Sequence, residues 1–183
     1  MSDAKPVRVA LTFDYDAMSN WIGSSGAKSP GMISRGEFGP IGLHRILALL
    51  ESRGIKSTFF VPGHTARAYP ATVQAIEAAG HEIGHHGWVH ENPVGLSHHQ
   101  EKHVMEQGLL ALKEVAGVRP VGYRSPGWDN SPNTVPLLVE FVDLRKVIRG
   151  PACEVHDALG DGRALQAGIG KILRNGVASR QKE

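Results

Sequence analysis

The sequence is short of the features that several protein classes require. Its single cysteine, Cys153, cannot build an internal disulfide framework, and no apolar run reaches the length that spans a bilayer. Both absences fit a cytoplasmic protein with no membrane partner. Residues 1–6 are polar and lack the basic-then-apolar pattern of a secretory signal, although a trimmed mature form would look the same. Charge of one sign is lacking as well: 20 basic and 18 acidic residues are spread along the chain, so no footprint for nucleic acid is visible. There is no G-x-S-x-G nucleophile elbow, no G-x-x-x-x-G-K-[ST] phosphate loop and no glycine fingerprint after the first apolar run. What remains is 183 residues, 41% of them hydrophobic, which is enough for one globular domain with a real core. The surplus is histidine: ten residues, half of them crowded between His81 and His98, a density that raises the prospect of a metal or acid–base site.

The apolar pattern alternates between short β-type runs and helical periodicity. Residues 7–13, VRVALTF, read as a buried first strand that stops at Asp14. A Gly/Ser/Pro-punctuated stretch from Asp16 to Pro40 reads as one long loop, of the kind that is usually functional or disordered. Helices are expected at 41–52 (closed by Gly54), 71–79 (closed by Gly80), 98–115 and 133–141, and strands at 55–61, 81–84 and 120–123. Ser97 and Gln100 form a capping-box pattern in front of the long helix, and Gly117 ends it. Strands separated by helices, without hairpin signals, imply an α/β protein with a parallel sheet or barrel. Beyond Phe141 the pattern degrades into a Gly-rich segment with weak periodicity, and oligomeric state stays open, a homo-oligomer included.

Three constellations could carry chemistry. Asp14 and Asp16 in TFDYD stand at the carboxyl end of the first strand, where α/β sheets and barrels place their sites, but an isolated D-x-D more often caps the next element or faces solvent. His86 and His90 in GHEIGHHGWVHENP lie four apart, so a helical turn after the strand would set both imidazoles on one face. Such a pair also arises by chance in a His-rich stretch. With Asp16 it makes two histidines and one acid, the ligand count of a catalytic site with open positions. In GYRSPGWD, Arg124 could hold a carboxylate by a bidentate contact and Trp128 could wall a pocket; a surface ion pair and a core anchor are equally open readings. His64, after the second strand, points to the same rim and could touch substrate, with helix capping as the plainer role.

Taken together and in this order, TFDYD, HEIGHHGWVHENP and GYRSPGWD resemble the first three motifs of the polysaccharide deacetylases, the NodB-homology or carbohydrate esterase family four proteins, from about Val7 to Glu140. The long first loop with Trp21-Ile22-Gly23 and the segment FFVPGH make the chain most similar to the branch of intracellular peptidoglycan-deacetylase-like and allantoinase-like enzymes. The resemblance implies a partial (β/α) barrel of about four βα units, with residues 1–141 as the N-terminal part of the domain and 142–183 as an irregular tail outside the pattern. It implies one divalent ion, zinc in the usual case, held by Asp16, His86 and His90, with Asp14 as general base and Arg124 positioning it; His64 and Trp128 would meet substrate. The expected activity is hydrolysis of a non-peptide carbon–nitrogen bond, N-deacetylation of an amino-sugar polymer, with a small cyclic amide as the rival substrate. The histidine that serves such enzymes as general acid has no counterpart motif here; His156 lacks the apolar strand that should carry it. The missing later motifs also raise the reading of a truncated relative that binds metal without turnover, and of a shifted reading frame past about residue 140.

Overall fold

A computed structural model describes residues 9–141. The positions beyond 141, Cys153 and His156 among them, lie outside the described residues, as does the expected irregular tail.

Three strands form a parallel sheet in the order β1 (Thr12–Asp14), β2 (Thr58–Val61), β3 (Glu82–His85), with Phe13 opposite Phe59 and Phe59 opposite Ile83. Helix α1 (Pro30–Ile33) and α2 (Phe38–Ser52) join β1 to β2; α3 (Gly63–Ala68) and α4 (Pro70–Ala78) join β2 to β3. Helices α5 (His98–Ala116) and α6 (Thr134–Phe141) follow. Each strand is short and each return is helical, which is the βα arrangement the pattern predicts. Phe59 and Val61 of β2 are fully buried and pack with Leu43 and Leu50 of α2, Val73 and Ile76 of α4 and Leu112 of α5. Burying side chains of this size stabilises the fold by roughly 1.5–3 kcal/mol each. Among the described residues no helix is long and apolar enough to cross a membrane.

The capping signals around α5 are realised. Ser97 accepts from the Gln100 amide while the Gln100 side chain accepts from the Ser97 amide, and Gly117 closes the helix at φ 69°. Several boundaries differ from the sequence reading. Among the described residues the first strand spans Thr12–Asp14 and pairs with β2 only, and it is not the buried strand expected: Thr12 and Asp14 are exposed. The segment 16–40 is not one loop but a chain of helical turns, a π-turn at Asn20–Ser24, α1, a 3-10 turn at Ser34–Glu37, and the start of α2 three residues before the expected position. Helix α3 is a further addition, its first amides satisfied by the carbonyls of Gly87 and Trp88. The fourth strand expected at 120–123 is reduced to a single parallel bridge between His85 and Tyr123. Pro120, which has no amide to donate, and Gly122 keep the ladder that short.

Candidate metal centre

The carboxyl ends of β1 and β3 and the bridge at Tyr123 converge on one rim, and the acids, histidines and arginine singled out in the sequence meet there. Nε2 of His86 stands 3.6 Å from Oδ1 of Asp16, and Nε2 of His90 stands 3.5 Å from Oδ2 of the same carboxylate. One donor atom from each of the three residues falls within 4.8 Å of the other two. These separations are too long for good hydrogen bonds and close to the ~3.3 Å edge of a tetrahedron built on metal–ligand bonds of ~2.0–2.1 Å. Asp16 Oδ1 and His86 Nε2 are buried without a hydrogen-bond partner. Such orphans are costly, and two of them facing each other across an ion-sized gap fit a cation between them.

The histidines do not reach this arrangement on a helical turn, as their spacing suggests. The chain leaves β3 at His85 and turns through Gly87 at φ 76°, and His90 itself lies at φ 64°. A non-glycine residue in that region is strained, by about 1–3 kcal/mol, and persists only where its surroundings hold it. The amides of Trp88 and Val89 donate to Oε2 of Glu91, at 3.2 and 2.8 Å, which ties the turn closed. His85, the preceding residue, is wholly buried; its Nε2–H donates to the Met105 carbonyl at 3.1 Å and its Nδ1 accepts from Gly87 at 3.3 Å. Burial pushes its imidazole down to about 4, so it is a neutral structural anchor.

Both candidate ligands have their other ring nitrogen spoken for. Nδ1–H of His86 donates to the Arg124 carbonyl at 2.6 Å, and Nδ1 of His90 meets Ser24 Oγ at 2.5 Å. A proton on each Nδ1 leaves the Nε2 lone pair aimed at Asp16. Burial lowers the pKa of His86, opposed by its bond to the Arg124 carbonyl and by Asp16, and burial likewise lowers that of His90, which keeps both rings neutral near pH 7. The Asp16 carboxyl is pushed up to about 6, chiefly by burial, with His86 pulling it back and Asp14 adding to the rise. In the backbone, the Asp16 carbonyl accepts from Thr65 Oγ1 at 2.6 Å, and Thr65 is bonded in turn to Ser19 at 2.7 Å.

Asp14 lies beside this group but takes no part in it. The Arg124 guanidinium donates through Nη1 to Asp14 Oδ1 and through Nη2 to Thr12 Oγ1, the latter at 2.6 Å. The expected fork onto one carboxylate is therefore split between a carboxylate and a hydroxyl. Arg124 is stacked between the rings of Phe60, at 4.2 Å, and Trp128, at 4.9 Å. Trp128 is 75% exposed, which excludes the core-anchor reading. His64 does not cap a helix with its side chain: Nδ1 lies 3.1 Å from Ser19 Oγ and its ring meets Trp88 edge-on. Ser24, Ser19, Thr65 and Glu91, which hold these groups, were not singled out in the sequence. Isolated Ser, Thr and Glu residues have no spacing signal.

The chain is similar to several known proteins. The family model described as polysaccharide deacetylase matches residues 2–141. A peptidoglycan deacetylase of Helicobacter pylori is 39% identical over 139 residues, which cover 75% of this chain and 47% of that protein. A solved Mycobacterium smegmatis structure, assigned as a polysaccharide deacetylase, superposes with TM-score 0.68 at 41% identity over 76% of this chain and 53% of its own. The crystal structure of Puue allantoinase is similar with TM-score 0.63 at 26% identity, over 72% of this chain and 49% of its own. The chain spans about half the length of the relatives it matches.

Proposed function

The chain belongs to the polysaccharide deacetylase family, whose neighbours have the NodB-type (β/α) barrel, and from that premise we propose that it contributes to metal-dependent N-deacetylation of an amino-sugar polymer. The observation that carries the reading is the convergence of Asp16 and the Nε2 lone pairs of His86 and His90 on one gap. We assign these three residues as ligands of one divalent ion, zinc by preference, because two imidazoles and one carboxylate suit zinc at a catalytic site. When bound there, the ion supplies Lewis acidity for the acyl oxygen and makes nearby water more acidic.

The chain's own residues would do the rest. Asp14 is the proposed general base, its Oδ1 engaged by Arg124 and its second oxygen left to take a proton from attacking water. Water oxygen bonds to the acyl carbon, the carbon–nitrogen bond breaks, the nitrogen takes up a proton, and acetate leaves with the free amine. Arg124, clamped between Phe60 and Trp128, fixes where Asp14 sits. Trp128 offers an exposed aromatic face beside this rim, the kind of surface on which a sugar ring stacks, and His64 is its proposed companion in substrate contact. The donor of the proton to nitrogen is not among the residues assigned. Residues 1–141 are read as the first part of the family domain, in keeping with the span of the family match.

A small cyclic amide is a second reading, favoured by the likeness to Puue allantoinase. One experiment separates them: acetate release from peptidoglycan and chitin oligomers and ring opening of allantoin are measured on the same zinc-loaded preparation, beside the Asp14→Asn variant. Acetate release that Asp14→Asn removes is the expected result. Turnover of allantoin alone would overturn the deacetylase assignment, and metal binding without either activity would leave a non-catalytic relative.

A further inference from the structure

The candidate ligand His90 is held by a segment far away in sequence. The π-turn Asn20–Ser24 ends against the turn that carries His90, and two separate contacts join them. Ser24 Oγ lies 2.5 Å from Nδ1 of His90 and, at 3.0 Å, donates to the carbonyl oxygen of the same residue. A hydroxyl has one proton. Since that proton goes to the carbonyl, Nδ1 must be the donor in the shorter contact, which sets the His90 tautomer with hydrogen on Nδ1 and the lone pair on Nε2. One serine thereby ties the imidazole of His90 to its own backbone and fixes the ring's rotation. The second contact is steric: a Cβ on Gly23 would fall 1.8 Å from the Val89 carbonyl oxygen, so the two segments approach as closely as only glycine permits. His90, at φ 64°, sits where a side chain needs such support.

We infer that Ser24 is a positioning residue for the metal centre, acting through His90 to present Nε2 to the ion, as the Arg124 carbonyl does for His86. This rests on the metal-site reading of the preceding subsection. Partners that orient ligating imidazoles are typically worth roughly 10–100-fold in metal affinity. Ser24 is exposed, so its replacement leaves the core untouched.

The test is zinc affinity of the full chain, by competition with a chromophoric chelator, for wild type, Ser24→Ala, Ser24→Thr and His86→Ala. Ser24→Ala should bind zinc roughly 10–100-fold more weakly, and Ser24→Thr, which restores the hydroxyl, should return to within about threefold of wild type. Long-range proton–nitrogen spectra of the metal-free protein should give His90 as the Nδ1–H form in wild type and a tautomer mixture in Ser24→Ala. Wild-type affinity and an unchanged His90 spectrum in Ser24→Ala, with binding lost in His86→Ala, would overturn the role of Ser24 alone. Wild-type affinity in His86→Ala would instead remove the metal site on which the inference stands.

Discussion

Replacing Asp16 with asparagine should make the metal-free protein more stable and the zinc-treated protein less so. The Asp16 carboxyl is pushed from an ordinary 3.8 up to about 6 in the folded chain, with burial as the first cause. Its side chain is 23% exposed, so solvent screening removes only part of that cost. A gap of this size corresponds to ~3 kcal/mol of penalty on the folded carboxylate. The sign follows from linkage. A group whose folded pKa is raised contributes stability that is fully present below about 3.8 and lost as pH rises through about 6. At pH 8 the wild type carries the whole penalty and Asp16→Asn carries none. The amide of the new asparagine can also donate to the His86 or His90 lone pair, and its own desolvation takes back part of the gain. The expected net is ~1–3 kcal/mol in favour of the variant, or a urea midpoint higher by about 1 M for a slope of ~1–3 kcal/mol/M. The difference should shrink as pH falls below about 6 and vanish near 3.8. Zinc at ~1,000 times its dissociation constant should add ~4.1 kcal/mol to the wild type and nothing to Asp16→Asn, reversing the order. Urea titrations at three pH values, with chelator and with zinc, measure all of this. A metal-free Asp16→Asn less stable than wild type at pH 8, or equal stabilisation of both by zinc, would refute the argument.

Further outcomes follow from the same site. Elemental analysis of His86→Ala should find the bound divalent ion lost, because the remaining His90 and Asp16 offer only two donors; equal metal content would refute the ligand assignment. Zinc affinity should fall as pH drops below about 6, where a proton must leave Asp16 for each ion bound, by ~tenfold per pH unit from this group alone and more steeply where His86 or His90 also takes up a proton. Asp14→Asn should lower acetate release by ~10²–10⁴-fold with metal retained, and Arg124→Ala should act in the same direction, read by paired activity and metal assays. Glu101, 1% exposed, accepts hydroxyl bonds from Ser131 and Thr134 at the start of α6; Glu101→Ala should cost ~2–4 kcal/mol in urea unfolding without changing zinc affinity.

What the sequence made legible was what periodicity and capping chemistry encode. Helix α5 was bounded to within a residue because Ser97, Gln100 and Gly117 act locally, whereas α3 was hidden: Pro62-Gly63-His64 looks like a turn, and its helix is stabilised by carbonyls of the distant Gly87 and Trp88. Asp16, His86 and His90 were found through the ordered motifs, but the reason they converge was misread. Spacing of four suggests a helical face; Gly87 and His90 in the left-handed region achieve the same convergence with a tight turn. The split contact of Arg124 and the role of Ser24 were out of reach, since each depends on where two remote segments meet.

The Arg124 backbone links the proposed base to the candidate metal site. Arg124 contributes to both through different atoms: its guanidinium engages Asp14, and its carbonyl accepts the His86 Nδ1–H. The Arg124 backbone is itself fixed by the bridge to β3, where its amide donates to the His85 carbonyl at 3.0 Å and the His85 amide donates to Gly122 at 2.8 Å. A shift of this one bridge therefore moves the proposed base and one ligand together, while a change at the Arg124 side chain moves the base alone. Substitutions that leave the Arg124 guanidinium in place but disturb the bridge, such as Gly122→Pro, which alters the backbone beside the carbonyl that accepts from His85, should lower metal affinity and activity in parallel. Arg124→Ala should separate them. The segment expected as a fourth strand is a single bridge in the structure, and it attaches Arg124 at two points to one rim.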